Sequence, residues 1–162
     1  MQNEIISSLT MTPAQLQAEL LRCEYCEEKP CREACPVNCS PADFIMAARM
    51  GNPSDLQRSA GEIMHANPLG GICGMVCPDT LCMAACTHKK FDGPINIPLV
   101  QATIVEMAKN QGGIPKFSVP MPNGKKVAVV GGGPAGWVQP QPLLKWATWW
   151  TFSNPGIVSA EW

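Results

Sequence analysis

Four cysteines lie within the fourteen residues CEYCEEKPCREACP, positions 23 to 36, and this stretch restricts the possible folds more than any other. Thiols this dense indicate disulfides, a zinc ion or an iron–sulfur cluster. The chain of 162 residues contains nine cysteines in all. Because nine is odd, a framework of disulfides fits the sequence poorly. Spacing must then decide between the two metal groups.

The remaining composition limits the compartment and the partners. The first twelve residues, MQNEIISSLTMT, have neither a basic start nor a continuous apolar stretch, so they do not resemble a secretory signal. No apolar run approaches the roughly 18 residues of a membrane span. We expect a cytoplasmic protein, since thiols stay reduced there and dense cysteines more often bind metal. With 12 basic and 13 acidic residues, neither nucleic acid nor a membrane surface is indicated as a partner.

Helix signals recur along the chain. Thr12, Pro13 and Gln15 form a capping box with a first-turn proline, which predicts a helix as far as about Arg22. Similar patterns predict helices at 40 to 51, at 54 to 65 and, after Pro98, through LVQATIVEMAKN. Between positions 67 and 86, glycines and prolines alternate with four cysteines. We expect the shape of that segment to be imposed by what its cysteines bind.

The spacing of the first cysteines favours iron over zinc. Structural zinc sites commonly pair two CxxC knuckles across a gap of about 12 or more residues. Here a CxxC is followed by Cys31 after four residues and by Cys35 after three, with Pro36 next. Bacterial ferredoxins have such a run, in which the cysteine before proline serves a second cluster. A structural zinc module that mediates contacts remains the alternative.

From position 23 to about 109 the sequence resembles the N-terminal iron–sulfur domain of dihydropyrimidine dehydrogenase and of the glutamate synthase small subunit. The shared features are the CxxCxxxxCxxxCP run, then NPLGGICGMVCP, then a CxxxC pair and finally GPINIPLVQ. The resemblance implies two [4Fe–4S] clusters. One would be held by Cys23, Cys26, Cys31 and Cys86.

The second cluster would be held, by the same resemblance, by Cys35, Cys77, Cys82 and the amide of Gln101, which lies eight residues past Gly93. Cys39 and Cys73 would then be spare. The gap from Cys77 to Cys82 is one residue shorter than in the dihydropyrimidine dehydrogenase pattern. We expect both histidines, at 65 and 88, to be solvated or packed, since the cysteines suffice as ligands.

A second motif, VAVVGGGPAG, combines a buried strand with a glycine turn. Gly131, Gly133 and Gly136 fit GxGxxG, in which a tight turn brings the backbone and a helix N-terminus close to a pyrophosphate. In the resembling enzymes this turn opens an FAD-binding domain. An Ala-rich helix should follow.

The sequence departs from this pattern at Trp137. Residues 137 to 162 include Pro140 and Pro142, which would break the required helix. Synonymous codons for 137 to 153 can be chosen so that another frame reads VGAAATLAKMGHLVDIFE, which is the missing helix, turn and strand. We hypothesise that this tail comes from a frameshift. The first strand would then have no sheet to join, and the chain would bind no FAD.

The expected fold class is mainly α, a small helical domain around two clusters, followed by an incomplete α/β Rossmann-type start. The expected parts are a helical segment at 1–22, the two-cluster domain at 23–112, a linker at 113–126, the strand and glycine turn at 127–136 and the non-native tail at 137–162. The expected function is electron transfer within a fragment of an FAD- and NAD(P)H-dependent oxidoreductase. Its partners would be a flavin domain and a second catalytic domain or subunit. No catalytic residue is visible, so we do not expect the chain alone to be an enzyme.

Overall fold

The computed structural model describes residues 10–113 in full and, of residues 126–130 and 149–153, the backbone. The helices are Pro13–Arg22 (α1), Pro30–Glu33 (α2), Pro41–Ala48 (α3), Pro53–Ala66 (α4), Gly70–Val76 (α5), Cys82–Ala85 (α6) and Ile97–Asn110 (α7), with a 3-10 helix at Thr87–Lys90. The mainly α class is confirmed. None of the described helices is long and apolar enough to cross a membrane.

The helix starts follow from local sequence. Thr12 caps α1 through the predicted capping box, in which its side chain accepts from the Gln15 backbone and the Gln15 side chain accepts from the Thr12 backbone. Proline occupies the first turn of α1, α2, α3, α4 and α7, where its missing N–H is tolerated. The second predicted helix ends at Ala48 rather than near Gly51, which has φ +73° and closes the turn that follows.

The hydrophobic core lies between α1, α3, α4 and α7. Its most buried large side chains are Leu20, Phe44, Ile45, Leu56, Ile63, Val100 and Ile104. Cys23 and Cys39 belong to the same buried cluster, and Cys31, Cys35, Cys82 and Cys86 pack against it. The core therefore forms one wall of the region that contains the cysteines.

The glycine-rich segment contains two short helices that the sequence did not predict. α5 packs closely on α7: a Cβ at Gly74 would lie 2.6 Å from the Ala102 backbone nitrogen and 2.8 Å from the Pro98 carbonyl oxygen. Because Gly74 has no side chain, the backbone of α5 can approach the backbone of α7 directly. This packing gives the segment a shape without large apolar side chains.

Residues 116–162 form a separate compact unit. Within it, β1 (Lys126–Val130) pairs in parallel with β2 (Trp149–Ser153), with Lys126 opposite Trp149 and Val130 opposite Ser153. The expectation that the first strand has no partner is therefore wrong. Strands paired in parallel are joined by a crossover connection rather than by a tight hairpin turn. Gly131, Gly133 and Gly136 lie outside the described residues.

Candidate metal centres

Four cysteines from two distant parts of the sequence line one cavity. They are Cys23, Cys26, Cys31 and Cys86, the set implied for the first cluster. The remaining wall combines the apolar Pro30, Ala42, Ile45, Ile95 and Ile97 with the polar Glu24, Lys29, Thr87 and His88. Burial raises the pKa of Cys23, and the neighbouring Cys26 and Cys86 raise it further. The four thiols are thus brought together around a poorly solvated space.

Helix ends position several of these thiols. Cys23 directly follows α1, Cys77 follows α5 and Cys86 follows α6, each as the C-cap residue with extended backbone. Their φ values are −68°, −62° and −62°, and their ψ values are 119°, 133° and 131°. All three cysteines thus share one extended backbone conformation, and the preceding helix fixes the position of each.

The loop that carries Cys26 is fastened to α3. Tyr25 and Lys29 have the left-handed φ values of +50° and +44°, unusual for residues other than glycine. The Lys29 ammonium lies 2.7 Å from Asp43 Oδ1, and the Tyr25 hydroxyl donates to the same oxygen at 2.8 Å. The Lys29 ammonium also lies 4.8 Å from the centre of the Tyr25 ring. Asp43 thus holds a strained loop in place.

A second group contains Cys35, Cys77 and Cys82. α2 packs against α6, and this contact brings Cys35, just after α2, near Cys82 at the start of α6. Burial raises the pKa of Cys82 to about 11, with Cys35 and Cys77 contributing repulsion. Cys77 is exposed, whereas Cys35 and Cys82 are half-buried. The second group therefore opens to solvent at Cys77.

Gln101 lies on α7 and faces α5. Its side-chain nitrogen donates to the carbonyl oxygen of Gly70 at 2.6 Å. Within residues 10–113 no hydrogen bond joins Gln101 to a cysteine. Gly70 itself is buried against Ile63. The structure thus places Gln101 beside the helix that leads to Cys77.

The two spare thiols have different surroundings. Cys39 is buried, and burial followed by repulsion from Cys35 and Cys82 raises its pKa to about 12. Cys73 accepts a hydrogen bond from the side-chain nitrogen of the buried Asn67 at 3.0 Å. Cys73 also neighbours Cys77, whose pKa is raised first by burial and next by Cys73.

Two polar residues at the first cavity were missed by the sequence reasoning. The Thr87 hydroxyl lies 3.2 Å from Cys26 Sγ. His88 lines the same cavity, and its Nδ1 is 2.7 Å from Asp92 Oδ1. Its buried Nε2 makes no hydrogen bond within the described residues and lies 3.7 Å from Glu24 Oε1. His88 is therefore packed rather than solvated, and it packs at the candidate site. No spacing signal in the sequence marks either residue.

The chemistry of the donor set fits a [4Fe–4S] cluster. Such a cluster is held by four cysteine thiolates, and Cys23, Cys26, Cys31 and Cys86 line one cavity. Within residues 10–113 no group of three or more Cys, His, Asp or Glu side chains is arranged around a single ion.

Comparisons with known proteins give a consistent picture. The sequence profile of dihydropyrimidine dehydrogenase domain II, with a 4Fe-4S cluster, matches residues 2–113. The chain is 33% identical over 141 residues to the NAD-dependent dihydropyrimidine dehydrogenase subunit PreT of Escherichia coli O157:H7, covering 83% of this chain and 32% of that one. It is 38% identical over 129 residues to the putative oxidoreductase UacF of Escherichia coli K12, covering 78% and 20%.

The glutamate synthase [NADPH] small chain of Escherichia coli K12 is also similar, with 35% identity over 124 residues, 75% of this chain and 25% of that one. The chain therefore spans between a fifth and about a third of the length of these relatives.

Proposed function

Because the chain belongs to the family of dihydropyrimidine dehydrogenase domain II, a 4Fe-4S family, we propose that it is an electron-transfer module with two [4Fe–4S] clusters. Cys23, Cys26, Cys31 and Cys86 are the proposed ligands of the first cluster. Cys35, Cys77, Cys82 and Gln101 are those of the second. A cytoplasmic location is part of the proposal, since the ligand thiols must remain reduced.

The observation that carries the proposal is the common cavity of the first four cysteines. They come from the end of α1, the following loop, α2 and the residue after α6, so chance proximity within one loop does not explain the set. The proximity of Cys82 to Cys35 and Cys77, both of which raise its pKa, supports a second set. Each set combines thiols from before position 36 with thiols from after position 76.

When bound, such clusters accept and release single electrons. The chain's own residues determine how each cluster would be held, how far solvent would reach it and what its potential would be. Helix ends fix the thiols, apolar side chains form part of the wall of the first cavity, and the exposed Cys77 leaves the second set accessible from outside. Burial and hydrogen bonds to sulfur adjust the potential at each site.

The whole protein's activity is a further part of the proposal. The relatives named above are a dehydrogenase subunit, a putative oxidoreductase and a synthase small chain. We propose a parent FAD- and NAD(P)H-dependent oxidoreductase, in which this domain connects a flavin domain with a second catalytic domain or subunit. Gly131, Gly133 and Gly136 are the proposed contacts to the flavin pyrophosphate. The 162-residue chain alone is proposed to lack turnover.

The proposed origin of residues 137 to 162 is a frameshift. Sequencing the encoding DNA tests this directly. A second frame that reads as the small-residue helix and strand supports it, and the absence of such a frame rejects it.

Anaerobic expression of the full chain, with iron, sulfide, zinc and flavin measured on one sample, tests the function. We expect a brown protein with about eight irons, the sum of two four-iron clusters. Cys86→Ser should lose about four irons, while the matched variants Cys39→Ala and Cys73→Ser should retain all of them. A colourless protein with zinc would reject electron transfer. Iron loss in Cys73→Ser as severe as in Cys86→Ser would reject the ligand assignment.

A further inference from the structure

We infer that Thr87 sets the reduction potential of the first cluster by donating a hydrogen bond to the Cys26 sulfur. This inference deepens the proposed function and rests on it. The inference rests on the 3.2 Å distance between Thr87 Oγ1 and Cys26 Sγ, which belong to residues 61 positions apart in sequence. Thr87 is a positioning residue in this role, because it acts through a proposed ligand.

Thr87 is placed by the backbone around Cys86. Cys86 ends α6 and also precedes the 3-10 helix Thr87–Lys90, which therefore begins with Thr87. The Lys89 backbone nitrogen donates to the Cys86 carbonyl oxygen at 3.1 Å, which closes the first turn. The same short turn thus supplies one proposed ligand, Cys86, and a hydroxyl directed at another, Cys26.

The direction of the hydrogen bond follows from the chemistry of the ligand. In the free thiol form either Cys26 or Thr87 can be the donor. A thiolate bound to iron has no proton and can only accept. Thr87 must then donate whenever Cys26 is a ligand.

The surroundings strengthen the effect. Beside Glu24, Lys29 and His88, the cavity wall contains Ala42, Ile45, Ile95 and Ile97, and a hydrogen bond inside a protein is electrostatically stronger than in water. Reduction adds negative charge to the ligand sulfurs, so the donor stabilises the reduced state more than the oxidised state. The hydroxyl therefore raises the potential of the first cluster relative to a site without it.

Thr87→Val tests the inference, because it removes the hydroxyl and keeps the shape. Thr87→Ser keeps the hydroxyl. Thr80→Val is the matched control, since Thr80 is an exposed threonine on the turn between Cys77 and Cys82. Each full-length variant is purified anaerobically, its iron and sulfide are counted, and both midpoint potentials are measured by redox titration followed by electron paramagnetic resonance.

We expect Thr87→Val to retain about eight irons and to lower one of the two potentials. The reduction equilibrium should change by at most about tenfold, which is ~59 mV for one electron. Thr87→Ser and Thr80→Val should match the unmodified chain. Unchanged potentials in Thr87→Val, equal shifts of both clusters, or loss of iron in that variant would each overturn the inference.

The proposed function can fail separately. If the unmodified chain does not contain two clusters, the proposed function is wrong. If it does contain them and Thr87→Val changes neither potential, only the role of Thr87 is wrong.

Discussion

The side-chain amide of Gln101 is oriented by the backbone carbonyl of Gly70, to which its nitrogen donates at 2.6 Å. A carbonyl oxygen can only accept, so the NH₂ group must face Gly70 and the amide oxygen must lie at the opposite end. Neighbouring groups that fix a ligand in this way are common at metal sites. If Gln101 is a ligand of the second cluster, as proposed, this bond would fix the orientation of its oxygen.

Replacement of Gln101 by leucine should weaken the second cluster. Leucine has a similar size but provides neither an oxygen ligand nor a donor to Gly70. We expect a loss of between one and about four irons, while the signal of the first cluster is unchanged. Gln111→Leu is the matched control, since Gln111 is an exposed glutamine just after the same helix. Full iron content and unaltered potentials in Gln101→Leu would show that Gln101 is an ordinary surface residue.

Gly74→Ala should destabilise the domain. The new Cβ would meet the backbone of α7, 2.6 Å from the Ala102 nitrogen, and backbone cannot move aside as a flexible side chain can. The free energy of unfolding should fall by about 1–3 kcal/mol. The iron-loaded chain should therefore bleach at a lower temperature on heating.

Gly71→Ala is the control for Gly74→Ala. It lies in the same helix and meets only Val105, at 3.1 Å. The bleaching temperature of Gly71→Ala should be much closer to that of the unmodified chain. Equal bleaching temperatures for both variants would contradict the close packing of α5 on α7.

Cys39 should be the slowest of the thiols to alkylate in the metal-free chain. Its pKa is raised to about 12, so the reactive thiolate is about one part in ten thousand at pH 8. Because the thiolate fraction grows tenfold per pH unit below the pKa, the Cys39 rate should still rise at pH 10. An ordinary thiol levels off above its pKa of about 8.5.

Mass spectrometry after iodoacetamide treatment measures this order, with the exposed Cys77 as the internal comparison. Cys39 reacting as fast as Cys77 at pH 8 would mean that Cys39 is not buried without iron.

Asp43→Ala should slow the loading of the first cluster more than it lowers stability. Burial would raise the pKa of Asp43, but hydrogen bonds, led by that of Lys29, lower it overall. Since the pair is partly exposed, its direct contribution to stability should be below about 1 kcal/mol. Its larger effect is to hold the loop of Cys26 in its left-handed conformations.

Reconstitution with iron and sulfide, followed by visible absorption, tests the role of Asp43. We expect a severalfold slower rate in Asp43→Ala with the same final iron content. Asp55→Ala removes a comparable pairing with Arg58 on α4 and should load at the normal rate. If both variants load equally fast, the loop does not depend on Asp43.

Local signals predicted the helices well where they were strong. The capping box at Thr12 and the first-turn prolines determine where helices begin, because these residues satisfy or tolerate the free backbone groups at helix starts. The helix around Gly74 was harder to predict from sequence, because it is stabilised by backbone contact with α7 and lacks a helical period of apolar residues. The mainly α class followed from the helices that were predicted.

The candidate site was predictable only in its sulfur chemistry. Cysteine spacing and resemblance identified four thiols that line one cavity in the structure and three more that lie near one another. Thr87 and His88 could not be found this way, because their role depends on contacts with distant positions such as Cys26. The partner of β1 was missed because Pro140 and Pro142 indicated broken structure throughout the tail, whereas β2 begins beyond them, at Trp149.

The distribution of the first four cysteines also affects the timing of biosynthesis. The thiol of Cys86 leaves the ribosome long after that of Cys26, and at about 5–20 residues per second the delay is several seconds. Three thiols of the set must therefore wait, reduced and unsatisfied, for the fourth. A nascent chain of this kind is exposed to oxidants and stray metals, so delivery of iron and sulfur is expected only after most of the domain has been made.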